Sequence, residues 1–344
     1  MSTPTLSVII PNYRRPDLLM RCLESLRDSC ASTQTQVEVV AVDDGSGDDS
    51  CELVRERFPE FLLVALEHNG GYPAAVNAGV RMSSGEWVLT LNNDTTLENE
   101  ALEALLAVAR SSSDIGSVAA QQRFLSHPQV IYSAGVEVDR RGQAADRLIG
   151  HPLADSEHEP TEVFAACGAA ALYRRAMLDE LGGFDERFLF GLEDVDVAWR
   201  GHMRGWRCLY APDAVVYHDL GATVPHGSEL RFIQAGRNRL LLIAKNMTTR
   251  QLLRHGPSIV LFDLLYVAYG LLRLHTLSPL RGRWDGLRLW RSMRRSGAPG
   301  RCPVDLVRAT GFREVMRRRG AWGRFATGPS GDSTSGAASA VAWK

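Results

Sequence analysis

Leu6-Ser7-Val8-Ile9-Ile10-Pro11-Asn12-Tyr13-Arg14-Arg15 is the stretch that decides the fold class. Leu6–Ile10 is a short apolar run that reads as a buried strand. Pro16–Arg27 follows, with Leu18, Leu19, Leu23 and Leu26 at the spacing of one helix face and a proline in the first turn. The alternation continues outward. A strand is expected at Val37–Val42, a helix at Asp48–Phe58 capped by Ser46 or Asp48, and a strand at Leu62–Leu66. A helix at Ala74–Met82, a strand at Trp87–Leu91 and a helix from Glu98 to Ala109 complete the series, with Asp94 or Thr96 available as its cap. Apolar strands separated by helices predict an α/β fold with a mainly parallel sheet covered on both faces. Ligands of such sheets bind beyond the carboxyl ends of the strands, so the chemistry is sought there.

From Ile115 to Glu162 the pattern is irregular, with strand-like pieces at Val130–Tyr132 and Gly135–Val138, and reads as a lid or an acceptor-facing insertion. Regularity returns from Phe164 to Tyr217, and residues 229–325 look helical. The expected organisation is a catalytic domain at 1–240, a basic helical region at 241–327 and a disordered Gly/Ser/Ala-rich tail at 328–344. Six cysteines without a CxxC pair fit reduced cytosolic thiols, and the N-terminus lacks the layout of a signal peptide. Ile259–Leu274, interrupted by Asp263, Gly270 and Arg273, falls short of the ~20 apolar residues of a spanning helix.

Charge is distributed unevenly. Residues 240–344 hold 16 arginines and 2 lysines against 5 acids, a net +13, which leaves −14 to residues 1–239 within a total of −1. Leu277, Leu280, Trp284, Leu287, Leu289, Trp290, Met293 and Trp322 lie among the arginines. That mixture is what an interfacial helix on an anionic membrane requires, and peripheral membrane contact is expected. The arginines also suit a solvated face or a surface paired with the acidic half. No nucleic-acid-binding module accompanies them, and no nucleic-acid partner is expected.

Four strand ends carry polar residues. No GxGxxG follows the first strand, which removes the dinucleotide fingerprint. Val42-Asp43-Asp44-Gly45-Ser46 places two acids where a neutral base or sugar can donate to them, although Asp-Gly-Ser is also ordinary turn chemistry. Asn92-Asn93-Asp94-Thr95 supplies one carboxylate among neutral oxygens, a partial shell for Mg²⁺ or Mn²⁺ when phosphates complete it. Glu193-Asp194-Val195-Asp196 crowds three acids into four residues, favoured by a helix dipole but costly unless paired, hydrated or working. His218 ends the last strand.

In order and spacing, Ser7–Tyr13, Val42–Ser46, Asn69-Gly70-Gly71-Tyr72 with Asn77-Ala78-Gly79, Asn92–Thr95 and Glu193–Asp196 resemble the family 2 glycosyltransferases with a GT-A fold, and within them the rhamnosyltransferase-like branch. The resemblance spans roughly residues 6–250. It implies a nucleotide-sugar-binding GT-A domain with a mixed sheet plus a C-terminal helical extension. The implied activity is inverting transfer of a sugar, rhamnose in that branch, from a dTDP- or UDP-linked donor to a glycan or lipid-linked acceptor of bacterial surface polysaccharide synthesis, in the cytoplasm at the membrane face. Residue by residue, it assigns Pro11, Tyr13, Asp43, Asp44, Asn69 and Asn93 to the nucleotide, and Asp94 and His218 to a divalent metal, Mg²⁺ or Mn²⁺. Asp194 becomes the catalytic base, with Glu193 and Asp196 tuning it and Trp199 and Arg200 supporting the acceptor side. Asn92 stands where the family's metal motif has its first acid. A base for the acceptor hydroxyl and a cation for the departing diphosphate are what such a transfer needs. A carboxylate-based glycoside hydrolase and a non-catalytic nucleotide- or glycan-binding module are the alternatives. Neither calls for Asp44 and Asp94 at strand ends together with Asp194.

Overall fold

β1 (Leu6–Asn12) sends Val8 and Ile10 into one core with Leu19, Leu23 and Leu102, and Ile9 into another with Val40, Ala75 and Val76. A strand apolar on both faces is thereby covered on both, as its sequence requires. A computed structural model describes residues 5–219, 228–297, 300 and 311–325. The tail expected to be disordered at 328–344, Cys302 and the side chain of Trp322 lie outside the described residues.

The first half follows the expected alternation: α1 (Pro16–Ser32), β2 (Val37–Asp43), α2 (Ser50–Arg57), β3 (Leu62–Ala65), α3 (Tyr72–Arg81) and β4 (Trp87–Leu91). Leu19, Leu23 and Leu26 of α1 are almost wholly buried, each worth about 1.5–3 kcal/mol. At the head of α2 the Asp48 carboxylate accepts from Ser50 N, while Ser46 turns back to Asp43. The cap expected before the next helix is not one. Asp94 and Thr96 lead into and lie in a short strand, β5 (Thr95–Leu97), and α4 (Ala101–Ala109) begins later.

The stretch expected to be an insertion contributes to the main sheet from its first residue. β6 (Ile115–Phe124) is a ten-residue strand, followed by β7 (His127–Ser133), β8 (Val136–Val138), β9 (Ala144–Asp146) and β10 (Thr161–Val163). Its glutamines hid it. Gln121 and Gln122 are buried, with Gln121 donating to Tyr210 Oη and Gln122 to the Cys167 carbonyl, so their amide nitrogens are paired inside a core strand, while Gln122 Oε1 is left without a partner. β11 (Ala170–Arg174), α5 (Arg175–Leu181), α6 (Glu193–His202) and β12 (Arg207–His218) complete the catalytic half.

The sheet runs β10-β12-β6-β11-β4-β1-β2-β3, with β5 on β12 and β7 on β6. Four of the seven pairings along that path are parallel, giving the mixed, mainly parallel sheet. β8 and β9 form a separate hairpin over the site.

The boundary expected at residue 240 falls inside α7 (Glu229–Asn246), which runs through it unbroken. The chain turns at Met247–Thr248, where Thr248 and Gln251 form a capping box opening α8 (Thr249–Arg273). Pro257 is carried inside α8, so this helix has 25 residues and is long and apolar enough to cross a membrane by length and composition. The apolar run from Ile259 onward is only the later part of this helix. α9 (Ser278–Ser296) lies close along α7, where a Cβ on Gly282 would meet the Ile233 carbonyl at 2.2 Å, and α10 (Phe312–Phe325) follows.

Candidate active site

The ends of β1, β2 and β4 are tied to one another by side chains. Asn93 Nδ2 donates to Asn12 Oδ1 at 2.7 Å, and Asn12 Nδ2 donates to Ser50 Oγ at 3.1 Å. Asp43 accepts from Ser46 N at 3.0 Å. Asp44 is buried, and its two oxygens accept from Gly70 N at 2.8 Å and Gly71 N at 2.9 Å. Burial pushes Asp44 up to about 6 against those two hydrogen bonds. It therefore fastens the Asn69-Gly70-Gly71 loop to β2, a function that its position at a strand end did not disclose. Asn69 Oδ1 accepts from Gly71 N, and Asn69 Nδ2 is buried without a partner. Pro11 and Tyr13 lie partly exposed at the end of β1, with the Arg14 guanidinium 5.1 Å from the Tyr13 ring centre.

β5 pairs antiparallel with β12 so that Thr95 stands opposite His218. This register sets Asp94 Oδ1 3.1 Å from His218 Nε2, both residues being buried. The Tyr132 ring meets the imidazole edge-on at 4.8 Å, and His218 Nδ1 has no partner. Arg231, on the first turn of α7, is close enough to Asp94 to feel its charge. Among the described residues no group of three His, Cys, Asp or Glu side chains converges, so this pair is what these residue types offer an ion here. The donor set, one carboxylate and one imidazole with its Nδ1 unpartnered, is of a kind that a divalent ion would take, and phosphate oxygens commonly complete such a shell.

Facing that pair is the head of α6. Asp194 Oδ2 accepts from Gly168 N and Oδ1 from Val195 N, both at 2.8 Å, and burial raises its pKa against these bonds. Glu193 is pushed up to about 8, by burial first and then by the charge of Asp194, and its Oε2 has no partner. Asp146, which the sequence reading passed over, reaches in from β9. Burial pushes it up to about 6, and it feels the charges of both Asp194 and His218. Next to the Gly168 N that holds Asp194, the Ala169 carbonyl accepts from Asn92 N at 2.9 Å, so the head of α6 and the Asn92–Asp94 segment meet at residues 168–169.

The loop before α6 is strained, with Leu189 at φ 61° and Leu192 at φ 70°. Two contacts hold it. The Leu189 carbonyl accepts from Tyr72 N at 2.8 Å, and Gly71, at φ 87°, makes room because its Cβ would meet that oxygen at 2.6 Å. From the other side Asn238 Nδ2 donates to the carbonyls of Phe188, Phe190 and Gly191 at 2.7, 2.9 and 2.7 Å. Asn238 was also missed. A lone asparagine on a helix more than 40 residues from its partners carries no sequence signal.

Three residues have different surroundings from those expected. Asp196 points away from Asp194 and accepts from Arg200 Nε at 2.8 Å, Lys245 Nζ at 2.8 Å and Asn246 Nδ2 at 3.0 Å. Burial alone would raise its pKa, but Arg200, Lys245 and Asn246 outweigh burial and hold it low, so it does not tune Asp194 by repulsion. Arg200 spends its remaining donors on the Leu181 and Gly183 carbonyls. Trp199 is wholly buried, edge-on to Phe164 at 5.5 Å. These residues fix α6 to α7 and to the core, and none offers a surface to an acceptor.

The sequence model described as Glycosyl transferase family 2 matches residues 7–182, just over half of the chain. A Myxococcus xanthus protein named O-antigen biosynthesis protein RfbC is 30% identical over 234 residues, covering 63% of this chain and 17% of that one. An N-acetylglucosaminyl-diphospho-decaprenol L-rhamnosyltransferase of Mycobacterium tuberculosis is 27% identical over 239 residues, 63% of this chain and 76% of that protein. The chain thus spans only about a sixth of the Myxococcus relative. Among solved structures, the mannosyltransferase PcManGT of Pyrobaculum calidifontis, described in complex with GDP-Man and Mn²⁺, aligns with a TM-score of 0.51 at 20% identity, covering 87% of this chain and 77% of that one. The fold is GT-A, as the motif order implied. With its ordered strand-end motifs on that fold and the family match from Ser7 to Gly182, the chain belongs to glycosyl transferase family 2.

Proposed function

We propose that the chain is an inverting rhamnosyltransferase, moving rhamnose from a dTDP- or UDP-linked donor to a hydroxyl of a lipid-linked glycan in bacterial envelope polysaccharide synthesis. The rhamnose assignment and the lipid-linked acceptor are supported by the name of the Mycobacterium relative, and the polysaccharide context by the O-antigen name of the Myxococcus relative. The observation that carries the reading is that adjacent residues hold both ends of the site: Gly168 N donates to Asp194 Oδ2 at 2.8 Å and the Ala169 carbonyl accepts from Asn92 N at 2.9 Å, which ties the proposed base to the segment bearing Asp94 and its partner His218.

Pro11, Tyr13 and the Asn69 loop that Asp44 holds receive the nucleotide, with Asp43 and Asn93 bracing the strand ends behind it. Asp94 and His218 would hold a divalent ion, whose chemistry is to neutralise the diphosphate. Arg231 adds charge to that end. Asp194 Oδ takes the proton of the acceptor hydroxyl. Glu193, pushed up to about 8 by burial and by the charge of Asp194, holds its own proton near neutral pH, while Asp194 is the member of the pair that accepts two backbone N–H groups. Residues 1–240 carry the transfer, and the basic helices after them hold the enzyme to the cytoplasmic face of the membrane, where a lipid-linked acceptor lies.

The test offers dTDP-rhamnose and a panel of UDP- and GDP-sugars with Mn²⁺ and a polyprenyl-diphosphate-linked N-acetylglucosamine. The expected result is dTDP release with rhamnose on the lipid, of inverted anomeric configuration. Release from a different sugar would correct the donor. Cleavage of a finished glycan without nucleotide sugar would make the protein a hydrolase instead.

A further inference from the structure

The third and second helices from the C-terminal end expose an apolar surface that the core leaves uncovered. On α8, Leu253, Val260, Leu261, Leu264, Leu265, Leu271 and Leu272 are between 42% and 78% exposed. They fall on one side of the helix, opposite Ile259, Phe262, Tyr266 and Gly270, which are buried. The surface continues through the turn at Leu274 and Leu277 to Leu280, Trp284 and Leu287 on α9. Contiguous exposed leucines on this scale mark an interaction surface.

Charge says what covers it. Arg250 and Arg254 stand exposed at the head of α8, Arg273 at its end, and Arg281, Arg288, Arg291 and Arg295 along α9. The outward stripe of α8 between Pro257 and Leu272 holds no charge. A long apolar stripe with arginines at both ends, beside a helix that mixes Leu, Trp and Arg, is the pattern of a segment lying in a bilayer surface. A second copy of the chain would bring the same arginines against one another.

The inner face decides between lying on the membrane and crossing it. Asp263, halfway along α8, accepts from Arg239 Nη1 of α7 at 2.7 Å and from Arg283 Nε of α9 at 3.0 Å. Crossing would either strip Asp263 of both arginines or carry all three charges into hydrocarbon, and both are costly. We infer that α8 and the start of α9 form an in-plane anchor. The leucines from Val260 to Leu287 enter the acyl boundary of an anionic leaflet, and the flanking arginines meet its phosphates. The inference deepens the proposed function and rests on it for the lipid-linked acceptor, because it names the surface that brings the site to that acceptor.

The test compares full-length protein with Leu264→Asp/Leu272→Asp, changed only at exposed positions, in co-sedimentation with vesicles of phosphatidylglycerol and phosphatidylcholine at 0.1 M and 1 M salt. Salt at 1 M shortens screening to ~3 Å and removes the arginine contribution, so wild type should weaken yet remain partly bound. The double variant should bind on the order of 100-fold less at high salt, because two leucines lose their burial. Equal binding of both proteins overturns the inference. So does light scattering that finds a wild-type dimer, dispersed by the two aspartates, with no vesicle bound by either protein. Transfer to a short water-soluble acceptor is measured in parallel. Lost docking with transfer intact supports the anchor separately from the chemistry. Intact docking without transfer in wild type sinks the proposed reaction and leaves the anchor standing.

Discussion

Asp94 Oδ1 and His218 Nε2 lie 3.1 Å apart although 124 residues separate them in the chain. The pairing of Thr95 with His218 across β5 and β12 makes this contact, so strand register rather than local sequence assembles the pair.

Removing one member of the pair should separate metal from nucleotide. Asp94→Ala is expected to lose Mn²⁺-dependent tightening of donor binding while keeping the affinity for free nucleoside diphosphate without metal. Isothermal titration with and without EDTA measures both. Equal transfer by wild type in EDTA and in Mn²⁺ would take the metal out of the reaction.

The two acids at the head of α6 should behave differently. Asp194→Asn is expected to lower kcat by roughly 10²–10⁴-fold with donor binding kept. Glu193→Gln should stay within several-fold of wild type at pH 7, since Gln imitates the protonated acid that burial maintains there. The reverse ranking would exchange their roles.

Glu193 also sets a pH dependence of stability. Its folded value of about 8 exceeds the ordinary 4.5, so above 4.5 the native state holds a proton that the unfolded chain has released. Its contribution to stability therefore falls as pH rises from about 4.5 to about 8 and levels off beyond. Urea midpoints of wild type and Glu193→Gln should diverge over that window, the variant gaining relative to wild type.

Asn238→Ala strips one donor group from three carbonyls of the loop before α6. Leaving buried acceptors unpaired costs roughly 1–3 kcal/mol. Denaturation should show that loss. Transfer should fall more than donor binding, because the loop positions Glu193 and Asp194. Unchanged kcat would mean that the strained loop keeps its shape without Asn238.

Lys245 bridges Asp185 at 2.7 Å and Asp196 at 2.8 Å and is itself buried. Lys245→Met leaves two buried carboxylates short of a partner, and breaking such a pair typically costs about 3–5 kcal/mol. Thermal melting checks the figure, and Lys245→Arg should recover part of it.

Truncation at residue 273 would do more than release an anchor. α9 lies against α7, and Arg294 donates to the Met247 carbonyl and to Thr249 Oγ1 at 2.9 Å. Deleting residues 273–344 is expected to lower solubility and stability together. For that reason point changes on the exposed face, not deletions, are the informative variants.

Legibility tracked the range of each interaction. Strand–helix alternation over residues 6–109 was plain because apolar period is local, and so were the motif residues at the strand ends, whereas the expected caps before α2 and α4 were not realised as expected. β6 was not plain, because Gln121 and Gln122 look like surface until Tyr210 and the Cys167 carbonyl are known to meet them. Asp196, Trp199 and Arg200 were grouped with the site by proximity in sequence. A helix turns successive residues by about 100°, which sends Asp194 toward Gly168 and Asp196 toward Lys245.

By itself the sequence determined the α/β class, the place of the strand ends and the family, because apolar periodicity and motif order are written along the chain. Only the tertiary structure decided which carboxylates are held by backbone N–H groups and which are neutralised by cations. It made Asp44 a loop fastener, brought Asp146 and Asn238 to the site, and stretched α8 to 25 residues with an uncovered outer face. The physical reason is that desolvation and pairing depend on what is near in space, and in this chain His218 for Asp94, Lys245 for Asp196 and Asn238 for the loop before α6 lie between 47 and 124 residues from their partners.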